Sequence, residues 1–411
     1  MSLYRYLPTP SHRMSLMWTL MTVDEAIVLE YGPAGTTHYS IGLFNSMGLK
    51  NENKLFTTHI SEDDVIMGDV SRLEKAILEL DSQFSPKVIF VIESGVTAVI
   101  GTDIQGVCHY LQDKVSARLL PMSEGGLRGD YTTGLQEAYT MLVKEIPKDG
   151  VEKQPLTCNI LGASVGSYRI RSDIWEIKDL LARAFDLQVN VVLGLETSLT
   201  ELEEMGGAIL NIALRNEAIP AANILKERFD TPFVSGAPYG YSGTLHWLLE
   251  IGKVLDKEVK ADVQATLKRK DLEARQVGPV GMPAMMMGKQ NHQATLVGEA
   301  ELLKGLSQFL QELSIQPAHK ICTHMLKENK ENADGIVYHE KESERLEILK
   351  NIHGHLLLGD DISAHVSPDD NMAICVSFPC LRQEQVATHL PVMGERGADW
   401  LVEQVLRFLA R

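Results

Sequence analysis

The chain has few cysteines and no long hydrophobic run. Only five cysteines occur in 411 residues, and no two of them form a Cys-x-x-Cys pair. So few thiols are typical of a protein in a reducing compartment, and they exclude a scaffold built on disulfides. No stretch approaches the roughly 18 apolar residues of a membrane-spanning helix. The apolar segment 14–23 lacks a small-residue cleavage site, so we interpret it as a helix packed on the first domain. We therefore predict a cytoplasmic protein without a membrane partner.

Positive charge is also scarce. Lysine and arginine total 39 against 55 acidic residues, which gives a formal net charge of −16. Such a balance disfavours binding of nucleic acid over a broad surface, because the phosphate backbone would be repelled. A local basic pocket is still compatible with this net charge. The length of 411 residues exceeds one ordinary hydrophobic core, so two or three domains are expected.

Apolar strand-like runs alternate with amphipathic helices along the whole chain. Val88–Ile92 is a short apolar run, whereas Ser71–Phe84 has apolar residues at helical spacing. This alternation predicts an α/β fold with mainly parallel sheets, in which ligands bind beyond the carboxyl ends of the strands. Breaks at 147–155 and 278–283 predict three α/β domains. They are 1–150 with an opening helix, 151–280, and 281–411 with a closing C-terminal helix.

One helix of the second domain and one strand of the third domain are also predicted. A Gly/Pro-containing loop at 235–244 precedes one long helix that we expect to run to about residue 275. The apolar run Ala284–Met287 is expected to be the strand that opens the third domain.

Two glycine-containing turns in the first domain are the strongest local signals. Ala26–Tyr31 predicts a buried strand, and it is followed by Gly32, Pro33, Ala34, Gly35 and Thr36. A second predicted strand is followed by Glu93, Ser94 and Gly95. Glycine permits a tight strand-to-helix turn and a close approach of a ligand to the backbone. The free N–H groups of the following helix would face that ligand. A tight turn without a ligand is the alternative.

Together the two turns resemble those of the nitrogenase component 1 family. That family includes the nitrogenase α and β chains, their cofactor-assembly homologues and the subunits of dark-operative protochlorophyllide reductase. Its first turn typically reads His-Gly-Pro-x-Gly-Cys, whereas here Tyr31 and Thr36 occupy the outer places. Its second turn typically carries a cysteine, and here Gly95 stands at that place. The chain thus resembles a divergent member that lacks the cluster cysteines.

The resemblance extends, in the order of elements, over most of the chain. It implies three successive Rossmann-like, doubly wound domains with the ligand site at the inter-domain cleft. The cofactor-binding chains of the family also use a cysteine and a histidine from the later domains. Those places fall at Arg215 and near Val376 here, and neither residue is a metal ligand. The resemblance therefore implies that this chain does not reduce dinitrogen.

The residues at the two turns also argue against an iron–sulfur cluster held by this chain. Iron–sulfur clusters are normally held by thiolates, and the oxygen atoms of threonine, serine and glutamate are poor ligands for them. We predict that this chain alone binds no cofactor and no metal. Two alternatives stay open: an iron–sulfur cluster shared with a partner subunit, to which Glu93 gives one ligand, and a tetrapyrrole or metallocofactor ligand. A His353-x-His355 pattern could bind zinc, but no acidic residue stands beside it at a metal-site spacing.

Polar residues at the predicted strand ends are the candidates for the ligand site. Arg169 and Arg171 stand at the start of a predicted helix, where they would suit carboxylates of a tetrapyrrole or an organic acid. The alternative for each arginine is solvation or pairing with a local acid. Further candidates are Glu196, Asn216 and Tyr241. The residues to which we assign cofactor binding are Gly32, Gly35, Thr36, Thr37, Glu93, Ser94, Gly95, Arg128, Ser164, Tyr168, Arg169, Arg171, Arg215 and Tyr239. No catalytic residue can be assigned.

The resemblance implies a function as an oxidoreductase subunit. In the first hypothesis the chain is one half of a component 1-like complex, paired with a paralogue or with itself in a dimer or heterotetramer. A separate iron–sulfur ATPase reductase would supply electrons for a low-potential reduction. In the second hypothesis the chain is a non-redox carrier or assembly scaffold for a metallocofactor or a tetrapyrrole.

Overall fold

The computed structural model describes residues 3–6, 8–49, 53–122, 129–277, 292–325, 334–378 and 390–411. Within these ranges the strands form three sheets, and every strand pair in them is parallel. Described helices connect nearly all of the successive strands, as parallel pairing requires. The predicted α/β fold with parallel sheets is confirmed. None of the described helices is long and apolar enough to cross a membrane.

The first sheet has the strand order β2-β1-β3-β4. Its strands are β1 (Ala26–Tyr31), β2 (Leu55–Thr57), β3 (Val88–Glu93) and β4 (Arg118–Met122). The helices of this part of the chain are α1 (His12–Leu20), α2 (Ala34–Ser46), α3 (Glu62–Met67), α4 (Ser71–Phe84), α5 (Gly95–Val99), α6 (Ile104–Leu111) and α7 (Tyr131–Glu145). Every residue of β1 and β3 is buried, since these central strands are covered on both faces.

The second sheet has the order β6-β5-β7-β8. Its strands are β5 (Thr157–Leu161), β6 (Gln188–Leu193), β7 (Leu210–Ala213) and β8 (Phe233–Ser235). The accompanying helices are α8 (Ile170–Phe185), α9 (Leu199–Glu204), α10 (Ile219–Phe229), α11 (Gly240–Leu255) and α12 (Ala261–Val277).

The third sheet has the order β11-β10-β9-β12-β13. Its strands are β9 (Gln293–Gly298), β10 (Gln316–Cys322), β11 (Val337–Tyr338), β12 (Leu356–Gly359) and β13 (Met372–Cys375). Its helices are α13 (Ala300–Glu312), α14 (Glu342–Asn351), α15 (Asp361–Val366) and α16 (Gly394–Leu409).

Helix α1 joins the first two sheets. All nine of its residues are buried, and it packs against α7 and against β1. The segment before it is fixed by the N–H of Tyr131, which donates to the carbonyl of Pro10 at 2.9 Å. The segment after it is fixed by Thr197, whose carbonyl accepts from the N–H of Asp24 at 2.9 Å. The helix is therefore part of the interior.

The structure differs from the sequence prediction at several elements. The long helix expected to end near residue 275 is two helices, because Asp256 has a left-handed φ of 51° that ends α11. Residues after Asp256 then fold back on α8, where the N–H of Lys260 donates to the carbonyl of Ala184. Helix α2 begins at Ala34, within the first glycine-containing turn and not after it. Strand β9 was not predicted, and the expected strand Ala284–Met287 lies outside the described residues.

Candidate functional site

The structure brings the two first-sheet turns together. Strands β1 and β3 pair in parallel with Tyr31 opposite Glu93, so the residues that follow them are neighbours. A Cβ atom placed on Gly32 would lie 2.5 Å from the Cβ of Ser94. The N–H of Ser94 donates to the carbonyl of Tyr31 at 3.0 Å. Gly32 is therefore required here by the close approach of the second turn.

The hydroxyl groups of the first turn take part in a buried network. Thr37 donates to Oε2 of Glu30 at 2.5 Å, and Thr36 donates to the carbonyl of Pro33 at 2.9 Å. The Glu30 side chain is fully buried and forms an ion pair with Arg13, with Nη1 and Oε1 2.5 Å apart. These contacts join β1, α1 and α2. The threonines thus have a structural role that the sequence did not indicate, while Gly35 has open space around it.

The second turn is closed by its own hydrogen bonds. Ser94 caps α5, and its Oγ accepts from the N–H of Thr97 at 3.2 Å. Thr97 Oγ1 in turn donates to the carbonyl of Tyr31 at 2.9 Å. Glu93 is buried at the end of β3, and Gly95 begins the helix. The turn is a compact strand-to-helix junction.

The predicted arginines are bound to neighbouring groups. Arg169 has a left-handed φ of 51°, and its guanidinium lies between the rings of Tyr168 and Trp400 at 4.9 and 5.0 Å. It also donates to the carbonyl of Leu390 at 3.2 Å. Arg171 donates from Nε to Glu196 at 3.2 Å. Both residues therefore connect parts of the chain in this structure.

Arg215 is the centre of a buried charge cluster at the end of β7. Its Nε donates to Glu217 at 2.9 Å, and its Nη2 lies 2.9 Å from Oε2 of Glu299. Burial acts to raise the pKa of Glu217, but the charges of Arg215 and His324 and the hydrogen bonds of the carboxylate together outweigh it, and the pKa lies below its usual value. Burial raises the pKa of Glu301, whose Oε1 accepts from the N–H of Asn216 at 3.3 Å. Arg215 thus forms ion pairs with the carboxylates around it.

A narrow cleft lies where the carboxyl ends of the second and third sheets face each other. Its cavity volume is about 30 Å³, which is room for one or two water molecules. The residues that line it come from all three parts of the chain: Pro8, Thr9, Pro10, Trp18, Tyr131, Ser164, Gly166, Glu299, Thr323, Arg345, Ile362 and Phe378. Ser164 is the sequence candidate among them, whereas Trp18, Glu299 and Arg345 were missed.

The remaining candidates lie away from the lining of this cleft. Tyr239 is buried against α13, where a Cβ on Gly305 would meet its ring, and burial raises its pKa. The hydroxyl of Tyr241 donates to Asp399 at 2.6 Å. Arg128 lies outside the described residues.

The third sheet carries a histidine pair that the sequence did not indicate. The rings of His319 and His355 are stacked, with centroids 6.1 Å apart and an interplanar angle of 20°. His355 Nδ1 lies 2.9 Å from Oγ1 of Thr295 on the strand between them. Burial lowers the pKa of both histidines. His353, the other half of the His-x-His pattern, instead forms an ion pair with Asp370 at 3.0 Å.

The described residues do not supply a ligand set for a metal cluster. No group of three or more His, Cys, Asp or Glu side chains in this part of the chain could hold a metal ion. Burial raises the pKa of Cys108 and of Cys158 to about 12, so neither is a ready thiolate. Arg215 and Val376, at the places where the resemblance expects the cysteine and histidine ligands, are both buried. Neither of these two residues therefore offers a thiolate or an imidazole that could ligate a metal.

The chain is similar in sequence to nitrogenase proteins and to proteins of nitrogenase cofactor biosynthesis. The sequence model of the family described as nitrogenase component 1 type oxidoreductase matches residues 12–410. The nitrogenase iron-molybdenum cofactor biosynthesis protein NifE of Clostridium pasteurianum is 28% identical over 59% of this chain and 52% of its own length. The nitrogenase vanadium-iron protein β chain of Trichormus variabilis is 23% identical over 93% of this chain and 89% of its own length.

A solved structure has the same fold. The structure of nitrogenase Cp1 at pH 6.5 superposes with a TM-score of 0.80 and 17% sequence identity, and it covers 100% of this chain and 94% of that chain. This chain spans about half the length of the NifE relatives from Clostridium pasteurianum and Nostoc sp., at 52% and 51%.

Proposed function

Because this chain belongs to the nitrogenase component 1 type oxidoreductase family, we propose that it is one subunit of a component 1-like complex. A separate iron–sulfur ATPase reductase supplies electrons to a cluster-bearing paralogue in this complex. The present chain forms part of the pocket for the substrate or cofactor. The reaction is a low-potential reduction other than that of dinitrogen.

The residue at the expected cysteine position is the observation that carries this proposal. Arg215 stands where the resemblance expects a cysteine ligand, and both Glu217 and Glu299 hold it at 2.9 Å. A guanidinium bound by two carboxylates cannot ligate iron, and its removal would leave buried negative charge. Electron transfer by a complex that contains this chain therefore depends on a cluster held mainly by another subunit.

An exposed apolar edge supports the presence of a partner subunit. The segments that follow β1, β2 and β3 lie at one edge of the first sheet, and they expose Tyr39, Met67 and Val99. Met67 is 78% and Val99 is 73% exposed. Contiguous exposed apolar patches are typical of protein interaction surfaces, and we propose that these side chains form one. We call Tyr39, Ile66, Met67, Val96 and Val99 the apolar edge.

A second candidate function is that of a carrier or assembly scaffold without redox chemistry. It is favoured by the relatives whose names identify them as cofactor biosynthesis proteins. In this case the cleft would hold a precursor of a metallocofactor or a tetrapyrrole without reducing it.

Iron and acid-labile sulfide content separates the two functions. The chain is purified under strict exclusion of oxygen, once alone and once co-expressed with a genomically adjacent paralogue. We expect iron and sulfide only in the co-purified complex. Absence of both from the two preparations would favour the carrier function. A stoichiometric cluster in the isolated chain would contradict the ligand argument.

A further inference from the structure

The cleft is too small, as it stands, for the ligand that the proposed function requires. Its cavity volume is about 30 Å³. Pockets for organic ligands and cofactors usually have volumes of about 300 Å³ or more. A wall of the cleft must therefore move before such a ligand enters. The inference below rests on the proposed function in this respect, because it takes the cleft to be a ligand site.

One wall of the cleft is an irregular segment near the start of the chain. We call residues 3–6 and 8–10 the strap, and none of them belongs to a helix or a strand. Residues 8–10 line the cleft, yet Pro8 is exposed on the outer side. The opposite wall includes Trp18 of α1, a helix that is buried along its whole length. Displacement of the strap therefore opens the cleft without moving a sheet or a buried helix.

A buried carboxylate anchors the strap to the third part of the chain. Glu342 is the first residue of α14 and is only 4% exposed. Its Oε2 accepts from the N–H of Arg5 at 2.5 Å, and its Oε1 accepts from the N–H of Tyr6 at 3.3 Å. The ring of Tyr6 also meets the ring of His365 edge-on, with centroids 6.1 Å apart. Hydrogen bonds to an ionised acceptor are stronger than neutral ones, so Glu342 is the main anchor.

The space beneath the strap is incompletely filled. A second cavity of about 20 Å³ lies between the strap and α14, and Tyr4, Thr9 and Glu342 are among the residues that line it. Thr9 Oγ1 crosses this region to donate to the carbonyl of Thr323 at 3.3 Å. Atoms that border a void lose the dispersion contacts of a packed core. Segments with few buried apolar contacts open locally at a lower free energy than the whole protein unfolds.

The two ends of the strap are held differently. Pro10 is buried, and its carbonyl accepts from the N–H of Tyr131 at 2.9 Å, directly before α1. Leu3, at the other end, is 86% exposed. Pro10 is therefore the fixed end about which the rest of the strap can swing.

We infer that the strap is a gate, which detaches from Glu342 and Thr323 while the sheets stay folded and so opens the cleft to a ligand larger than the closed cavity. With the strap in place, Trp18 is only 1% exposed although it lines the cleft. Detachment of the strap removes the wall opposite this indole. Exposure of Trp18 therefore reports the open state without any knowledge of the ligand.

Hydrogen exchange of the full chain, followed by mass spectrometry, tests for local opening. We expect Glu342→Ala to speed exchange at the amides of residues 4–6 about tenfold or more, because it removes their ionised acceptor. Glu342→Gln should have a smaller effect, since one acceptor oxygen remains. The amides of Tyr131 and of strand β1 should stay as in the wild type. Glu347→Ala, at an exposed position of the same helix, is the matched control. Strap amides that exchange as slowly as those of β1, or that ignore Glu342→Ala, would overturn the inference.

Fluorine NMR of the chain labelled with 5-fluorotryptophan then tests whether the cleft itself opens. The chain has four tryptophans, so Trp18→Phe identifies one resonance by its loss. A soluble nitroxide broadens the resonance of every indole that it reaches. We expect Glu342→Ala to increase the broadening of Trp18 but not that of Trp247, which is 4% exposed and donates to the carbonyl of Gly236 at 2.9 Å. Protection of Trp18 equal to that of Trp247 in the variant, or increased broadening of both, would contradict the gate.

Failure of the gate and failure of the proposed function give different results. Both measurements above use the isolated chain without a ligand, whereas the metal analysis uses the complex with the paralogue. A strap that stays closed in a chain that still yields an iron-containing complex would overturn the gate and leave the proposed function in place. An opening strap without iron in either preparation would support the gate and favour the carrier function.

Discussion

Gly32 and Ser94 are in contact where two parallel strands of the first sheet end. The backbone of the first turn approaches the side chain of the second so closely that a methyl group on Gly32 would lie 2.5 Å from the Cβ of Ser94. The contact depends on the pairing of β1 with β3, in which Tyr31 lies opposite Glu93. It fixes both turns as one junction.

Gly32→Ala should destabilise the protein. The added methyl group overlaps the Cβ of Ser94, which cannot move without shifting the start of α5. Overpacking of this kind costs about 1–3 kcal/mol in the free energy of unfolding. Urea denaturation measures the change. Gly35→Ala is the control: nothing lies within 4 Å of its Cβ position, and alanine in a helix should be neutral or stabilising. Equal loss in both variants would refute the contact.

Glu30→Gln should be more damaging, because it leaves the buried Arg13 without a counter-charge. Removal of one partner of a buried ion pair typically costs about 3–5 kcal/mol. Thermal unfolding followed by circular dichroism reports the loss. The matched control is Glu403→Gln, which breaks an exposed pair with Arg407 on α16 and should change stability far less. A small effect of Glu30→Gln would show that the network contributes little.

Arg215→Met should destabilise the chain most at neutral pH. In the wild type Arg215 is the strongest of the groups that together hold the pKa of Glu217 below its usual value against burial, so that stabilisation is present above the unfolded pKa of about 4.3 and is lost in acid. Without Arg215, burial becomes the dominant influence and raises this pKa, and the variant regains stability as the pH falls. The stability difference between wild type and variant should therefore shrink from pH 7 to pH 5 in urea titrations. Arg269→Met, at an exposed pair with Glu273, should show no such trend.

The histidine pair predicts a loss of stability in mild acid. Burial lowers the pKa values of His319 and His355 in the folded chain, so the unfolded chain takes up protons first as the pH falls below about 6.5. The double variant His319→Gln, His355→Gln should lose less stability than the wild type between pH 7 and pH 5.5. His109→Gln, at an exposed position, is the control. Parallel pH profiles for wild type and double variant would exclude this role.

The apolar edge should be needed for co-purification of a paralogue. Val99→Asp places a charge in the proposed interface, where its desolvation opposes association, while the isolated chain stays folded. We expect a loss of the paralogue from affinity-purified material, quantified by gel densitometry. Leu272→Asp is the control, since Leu272 is 60% exposed on α12 and lies outside the edge. Retention of the paralogue by the Val99 variant would remove the edge from the interface.

The sequence predicts those elements whose burial pattern is local. Strand β1 and helix α4 have the predicted bounds, because an apolar run and a three-residue helical stripe are properties of neighbouring residues. The break between α11 and α12 was missed because Asp256 adopts a left-handed conformation that the following residues stabilise by contact with α8. The pattern of helical residues continues on both sides of it.

The candidate site was predicted less completely. Ser164 follows a recognisable strand, and the structure places it at the cleft. Trp18 belongs to an apolar helix and Arg345 to a charged one, so nothing in their local sequences indicates a ligand. They come together at the cleft only in the folded chain. Arg215 was identified from the sequence. Its partner Glu299 was missed, because this carboxylate follows a strand of another sheet and approaches Arg215 only in the folded chain.

Helix α1 also has a consequence for the synthesis of the protein. A ribosome makes this apolar helix well before α7 and Thr197, the partners that bury and anchor it. During translation its hydrophobic surface is therefore exposed to water or bound by a chaperone until these partners have been made, as in other large nascent chains. The wall of the cleft that contains Trp18 can form only after residues of the second sheet have emerged.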